Sequence, residues 1–197
     1  GEVKSRLTPP FSPAQAAQIA EASLRDTLDT LAHAPATRRV LCLEGTLDFD
    51  TAGWEIVPQG RGPLDERIAD AIDGCLGPTI VVGMDTPQLR ATHMRLPLDH
   101  WTSEVDAFFG PASDGGYWLL GLQHPKGDLV RGVPMSRPDT GAHQRHRLTA
   151  AGLSVRDLTT LTDIDTAESL REVRPHLPEG RLSRLLDDQK DGIHVYL

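Results

Sequence analysis

The sequence predicts one layered α/β domain, and three observations predict it. Short apolar or β-branched runs alternate with stretches whose leucines and isoleucines recur at helical spacing, from one end of the chain to the other. No internal repeat, low-complexity tract or long linker breaks that alternation. The run Thr79-Ile80-Val81-Val82 has no alternating polar face, the pattern of a buried strand, and it delivers Gly83-Met84-Asp85 to the point where Thr86-Pro87 can open a helix. In open α/β sheets ligands bind beyond the carboxyl ends of the strands, so Asp85 is either a cleft carboxylate or a plain strand-end or capping residue.

In order, Pro9 and Pro10 forbid an early helix, and Ser12-Pro13-Ala14-Gln15 supplies N-cap, first-turn proline and capping-box glutamine. Leu24, Leu28 and Leu31 continue that helix for about five turns. Arg39 to Leu43 and Trp54 to Val57 read as buried strands. Pro63 opens a helix through Leu64, Ile68 and Ile72 that Gly74 and Gly77 end. After the Asp85 strand a helix is expected from about Thr86, interrupted by Pro97. Val105 to Phe109 and Tyr117 to Leu122 are strands around the Gly110 to Gly116 loop. Thr140 to Gly152 is a helix, Leu153 to Leu158 a last strand, and Thr166 caps a helix through Leu170 and Val173. Two segments result: a nucleotide-binding domain over 1–174 and a C-terminal extension, 175–197, where Leu182, Leu185 and Leu186 suggest a short amphipathic helix. That tail either docks on a neighbouring subunit, as in a homodimer, or frays.

Composition narrows the class. A chain of 197 residues supports one substantial core. The net charge of −8 argues against a nucleic-acid footprint. No run approaches a membrane span and no signal peptide opens the chain, so a cytoplasmic location without membrane partners is expected. Cys42 and Cys75 match no metal spacing and read as reduced core thiols.

Several residues can carry chemistry. Lys4 and Arg6 can grip phosphate oxygens with two cations, or form a solvated arm. Asp114-Gly115-Gly116 offers a carboxylate on a backbone able to approach a ligand, or an ordinary hairpin turn. Asp163-Ile164-Asp165 places two carboxylates on one side of an extended segment, for capping or for the cleft. Arg67 lies on a helix beside the Gln59-Gly60 loop, as a ligand contact or a surface ion pair. His143 and His146, among arginines, read as a solvated basic face. With no Gly-x-Ser-x-Gly, Cys/His pair or dinucleotide fingerprint, the remaining set fits a nucleoside diphosphate held through a divalent metal, because oxygen ligands suit magnesium or manganese.

The order Gly1 to Leu7 with Ser12-Pro13, Gln59-Gly60 with Leu64 to Arg67, Gly83 to Pro87, Gly110 to Gly121, and Asp163 to Thr166 resembles a family of small bacterial nucleotide-diphospho-sugar transferase-like proteins of GT-A fold. The family was long described only as a domain of unknown function. The resemblance implies a three-layer Rossmann-like sandwich on a mostly parallel, mixed sheet. It puts Asp85 at the metal-binding acid and Lys4 and Arg6 at phosphate-contacting positions, and Asp165 is read as a second metal ligand. Gln59, Arg67, Gly115 and Gly116 are assigned to the nucleotide, and in a glycosyl-transfer reading Asp114 orients or deprotonates an acceptor hydroxyl. The activity implied is glycosyl transfer from a nucleotide sugar to a small-molecule acceptor. The alternative is nucleotidyl transfer from a nucleoside triphosphate with loss of pyrophosphate, as in molybdenum-cofactor or 2-phospholactate enzymes, whose Lys-x-Arg-Leu element is similar to Lys4 to Leu7. A nucleotide-binding module with a decayed site is the third. Relatives carry a first strand and an Ala-Lys-x-Pro-type loop ahead of the position of Gly1, so a further strand is expected there, and many have tryptophan in place of Met135.

Overall fold

The computed structural model describes residues 5–99 and 101–188. A 3-10 turn, Ser5–Leu7, leads into α1, Pro13–Ala32. The capping box forms as the sequence dictates: the Ser12 hydroxyl accepts from the Gln15 N–H, and the Gln15 side chain accepts from the Ser12 N–H. Next come β1 (Val40–Leu43), β2 (Glu55–Pro58), α2 (Leu64–Asp73), β3 (Thr79–Val82) and α3 (Ala91–Asp99). The chain continues with β4 (Ala107–Pro111), β5 (Tyr117–Leu122), α4 (Thr140–Ala150), β6 (Val155–Asp157), α5 (Ala167–Val173) and α6 (Arg181–Asp188).

β1 and β2 pair in parallel, while a four-stranded sheet has the order β3-β5-β4-β6. β5 is antiparallel to both neighbours and β4 is parallel to β6, so three of those four strands point one way. The sheet is thus mixed but mostly parallel. Its two faces carry different helices, giving three layers. Ala107, Phe109, Leu120 and Leu122 pack with Ala69 and Ile72 of α2 and Leu148 of α4. Phe108, Trp118 and Leu119 face the other way, with Leu89 and Met94. Leu182 and Leu186 of α6 are buried with Ile19 of α1 and Ile164, so this helix joins the core.

Trp118 and Leu119 share a face because the β4–β5 register slips between Gly110 and Pro111, which makes Trp118 the extra residue of a bulge. The indole crosses Gly110, where a Cβ would lie 2.5 Å from the ring, and its N–H donates to the Thr159 carbonyl at 3.0 Å. That hydrogen bond ties the chain leaving β6 to the sheet just below the candidate site.

Four expectations are corrected. Of the strands expected to be buried, β1 and β3 are half-buried and β2 is largely exposed, because among the described residues β1 and β2 pair only with each other and β3 only with β5. Thr86 does not cap a helix. Thr86 to Leu89 form a buried turn closed by Leu89 N–H to Thr86 C=O, and α3 starts at Ala91. Pro97 sits inside α3 rather than interrupting it, since it removes one hydrogen bond near the helix end, where few remain to lose. Cys42 and Cys75 are free but only half-buried, one in β1 and the other just past α2.

A charge cluster clamps α2 to the segment after β5. The Arg131 guanidinium reaches Glu66 at 3.0 Å, Asp70 at 3.0 Å, Asp73 at 2.8 Å and Asp128 at 3.2 Å. Asp73 also accepts the Gly127 N–H, and this bond and then Arg131 hold its carboxyl below the usual range. A depressed carboxyl pKa contributes stability above the unfolded value, about 4, that is lost as pH falls through the folded value. Arg131→Met should therefore lower the thermal midpoint at pH 7, where three carboxylates of α2 would repel unpaired, and the deficit should shrink by pH 3. Equal deficits at both pH values in thermal melts would assign the effect to lost packing instead.

Candidate functional site

The chain leaves β3 at Gly83, whose N–H donates to the Trp118 carbonyl at 2.9 Å, and turns at Met84 and Asp85. Two hydrogen bonds join this turn to the strap that follows β6. The Ile164 N–H donates to the Asp85 carbonyl at 2.9 Å, and the Gln88 side-chain amide donates to the Thr162 carbonyl at 2.8 Å. Asp163 and Asp165 flank Ile164 in sequence, so the acidic turn after β3 and the acidic strap after β6 meet at the carboxyl edge of the sheet. Ile164 itself is fully buried with Leu7 and Leu170, which fixes the strap between the sheet and α5. The α5 cap comes from Thr166, whose hydroxyl accepts the Ser169 N–H at 3.1 Å. Neither aspartate is needed for that role.

Arg6 arrives from the 3-10 turn, anchored by the fully buried Leu7, and pairs with Asp165 at 3.7 Å. The guanidinium is 71% exposed, so this contact is loose and exchangeable. Lys4 lies outside the described residues.

Asp114 sits in the five-residue turn between β4 and β5. Its Oδ1 accepts the Gly116 N–H at 2.8 Å, a local Asx-type bond that shapes the turn. Gly115 has φ of +89°, and a Cβ there would run into the Pro138 carbonyl, so only glycine serves. The Gly115 carbonyl accepts the Gly141 N–H at 2.7 Å, docking the turn on the start of α4. Its other side is stitched to the strap by Ser113 N–H to Leu161 C=O at 2.9 Å. The hairpin-turn reading of Asp114-Gly115-Gly116 thus describes the backbone, and the turn still presents an exposed carboxylate beside the acidic strap.

Gln59 and Arg67 form a second group beyond the carboxyl end of β2. The Arg67 guanidinium donates to Gln59 Oε1 at 2.8 Å and lies 3.4 Å from Glu44, while Gln59 donates to the Cys42 carbonyl at 3.1 Å. Both the surface ion pair and the expected Gln59 neighbour of Arg67 are therefore present. His143, expected on a solvated basic face, contacts Asp139 at 3.3 Å, and Arg145 pairs with Asp157.

Among the described residues no group of three or more His, Cys, Asp or Glu side chains could hold a metal ion. Magnesium and manganese commonly take one or two carboxylates and complete their shell with water and phosphate oxygens. Asp85 and Asp165 are two carboxylates on the segments that the Ile164–Asp85 hydrogen bond joins, the number such a cation takes from protein.

Sequence reasoning missed Ser23. It stands on the buried face of α1, 0% exposed, and its hydroxyl donates to the Met84 carbonyl at 2.8 Å, bracing the peptide that precedes Asp85. The signal was a polar residue at helical spacing between Ile19, Ala20 and Thr27, since a buried hydroxyl needs a partner. Ser23→Ala removes the donor to the carbonyl of the half-buried Met84 and should cost about 1 kcal/mol in denaturant unfolding. No measurable change would mean that the Met84 carbonyl finds water.

The fold is that of a crystallised protein from Desulfovibrio desulfuricans G20 provisionally described as a nucleotide-diphospho-sugar transferase, with a TM-score of 0.83 and 23% identity over 97% of this chain and 90% of that one. No curated protein matches the sequence. No described helix is long and apolar enough to cross a membrane. A family model, described as "Uncharacterized protein conserved in bacteria (DUF2064)", matches residues 27–137, more than half of the chain. The chain belongs to this DUF2064 family, with a GT-A-like fold.

Proposed function

We propose that the protein is a transferase for a nucleotide-activated donor, moving a glycosyl group from a nucleoside-diphosphate sugar to a small hydroxylated acceptor with magnesium or manganese. The observation that carries this reading is the Ile164–Asp85 hydrogen bond, which brings two acidic segments together where Arg6 approaches Asp165. Asp85 and Asp165 would hold the cation against the diphosphate. When bound, the cation supplies neutralisation of the charge that develops on the departing nucleoside diphosphate. Arg6, exchanging Asp165 for phosphate oxygens, adds a fixed cation to that same charge, and Lys4 a second. Gln59 and Arg67, already bonded to each other, offer amide and guanidinium groups to the nucleotide. Asp114 takes the proton of the acceptor hydroxyl as its oxygen bonds to the sugar carbon and the bond from that carbon to the diphosphate breaks.

The test is product analysis. The protein is incubated with manganese and a panel of nucleotide sugars or nucleoside triphosphates plus hydroxylated and phosphorylated acceptors. Acceptor-dependent release of nucleoside diphosphate supports glycosyl transfer. Release of pyrophosphate assigns nucleotidyl transfer instead, and neither product together with no nucleotide binding rejects both.

A further inference from the structure

The turn after Asp85 borders a cavity of about 380 Å³. Its walls include Gln88, Arg90, His93, Thr162, Glu172 and His176, from the turn after β3, the start of α3, the strap after β6 and the end of α5. The size falls at the lower end for small-molecule sites.

Gln88 is 7% exposed. Its amide nitrogen is used on the Thr162 carbonyl, but its Oε1 is buried with no hydrogen-bond partner among the described residues. A buried acceptor left unmade costs about 1–3 kcal/mol, so an occupant gains what the empty protein forgoes once the wall yields enough to uncover that oxygen to its donor. His93 is set as a donor by its surroundings. Its Nδ1 accepts the Arg90 N–H at 3.1 Å, which leaves the proton on Nε2. Burial and then the Arg90 charge push its pKa down, keeping the ring neutral. The ring is held edge-on to Trp118, with centroids 6.3 Å apart. The Arg90 guanidinium is steadied across the cavity by the His176 carbonyl at 3.1 Å, a contact that uses one of its five N–H groups. Glu172 adds an acceptor.

The lining therefore pairs cationic and neutral donors with an orphan acceptor and a carboxylate. A bare inorganic anion would meet Glu172 and would offer nothing to Gln88. A neutral polyol would leave Arg90 without a charge to pair. We propose that this cavity binds a small organic anion bearing a hydroxyl, a hydroxy-carboxylate or a phosphate ester, with the hydroxyl donating to Gln88 Oε1 and the anionic group on Arg90. The site stands apart from the donor reading, although the Gln88–Thr162 hydrogen bond makes the two share a wall.

Titrations of the whole chain by two-dimensional NMR decide it, with glycerate, glycerol 3-phosphate and glycerol as probes. Shifts of the Gln88 side-chain amide with either anion are expected, glycerate alone marking a hydroxy-acid site and glycerol 3-phosphate alone a phosphate-ester site. Arg90→Gln and Gln88→Met should each weaken binding by about tenfold or more. Arg90 is exposed, so its variant reports even where Gln88→Met unfolds, and Asp85→Asn should leave this binding unchanged. Equal shifts with glycerol, no shifts with any probe, or full affinity in Arg90→Gln would overturn the proposal. Because no nucleotide is present, the transferase reading can fail while this site survives, and the reverse.

Discussion

Asp85→Asn should abolish manganese-dependent nucleotide binding while leaving the fold intact. The side chain is half-buried at the carboxyl end of β3, and the backbone carbonyl of this residue accepts the Ile164 N–H. Asparagine preserves shape and that hydrogen bond but removes the charge that a hard cation requires. Second-layer partners of metal ligands already cost 10- to 100-fold in affinity, so loss of a direct ligand should exceed about 100-fold. Calorimetry with a nucleoside diphosphate is the measurement, run with and without manganese. If Asp85 and Asp165 hold the cation only together with phosphate, manganese alone should bind the wild type weakly, and the nucleotide should bring it in. Unchanged affinity in the variant would remove Asp85 from the metal site.

Asp114 should give the second large effect, on turnover. A lost general base typically costs about 10²- to 10⁴-fold, with little change in donor affinity. The structure sharpens the choice of variant. Asp114 Oδ1 also accepts the Gly116 N–H, so Asp114→Ala removes both a base and a turn-forming bond. Asp114→Asn keeps an acceptor for Gly116 and removes only the base. If the carboxylate takes the acceptor's proton, both variants should be equally slow. If it only shapes the turn, Asn should retain activity and Ala should lose it. Parallel losses in donor affinity and rate would instead put Asp114 on the donor sugar or on a second metal.

Local chemistry in the sequence was enough for the order and type of the elements. The capping boxes at Ser12 and Thr166 and the periodic leucines of α1 act over a turn or two of chain, and the structure has them where the residues require. The glycine stop at Gly152 is equally local, with φ of +79° just past α4. The same locality explains the failures. Thr86-Pro87 has the chemistry of a helix start, but Gln88 is spent on Thr162, 74 residues away, and the turn closes before a helix can begin. Thr79 to Val82 has the composition of a central strand, yet burial depends on how many neighbours pair with it, and β3 has one.

The candidate site divides along the same line. The candidates came from residue type alone, and Arg6, Asp85, Asp114 and Asp165 are exposed or half-buried polar groups. What brings them together was not legible, because it lies in long-range contacts between backbone groups. Ile164 N–H to Asp85 C=O, Ser113 N–H to Leu161 C=O and Ser23 to Met84 C=O make one connected brace from α1 across the carboxyl edge of the sheet. Every residue offers a backbone N–H and C=O, so sequence does not say which will pair. Sequence therefore determined the chemistry this protein can present, and tertiary structure alone decided which of the segments bearing those groups meet, because pairing at a distance is settled by packing of the whole core.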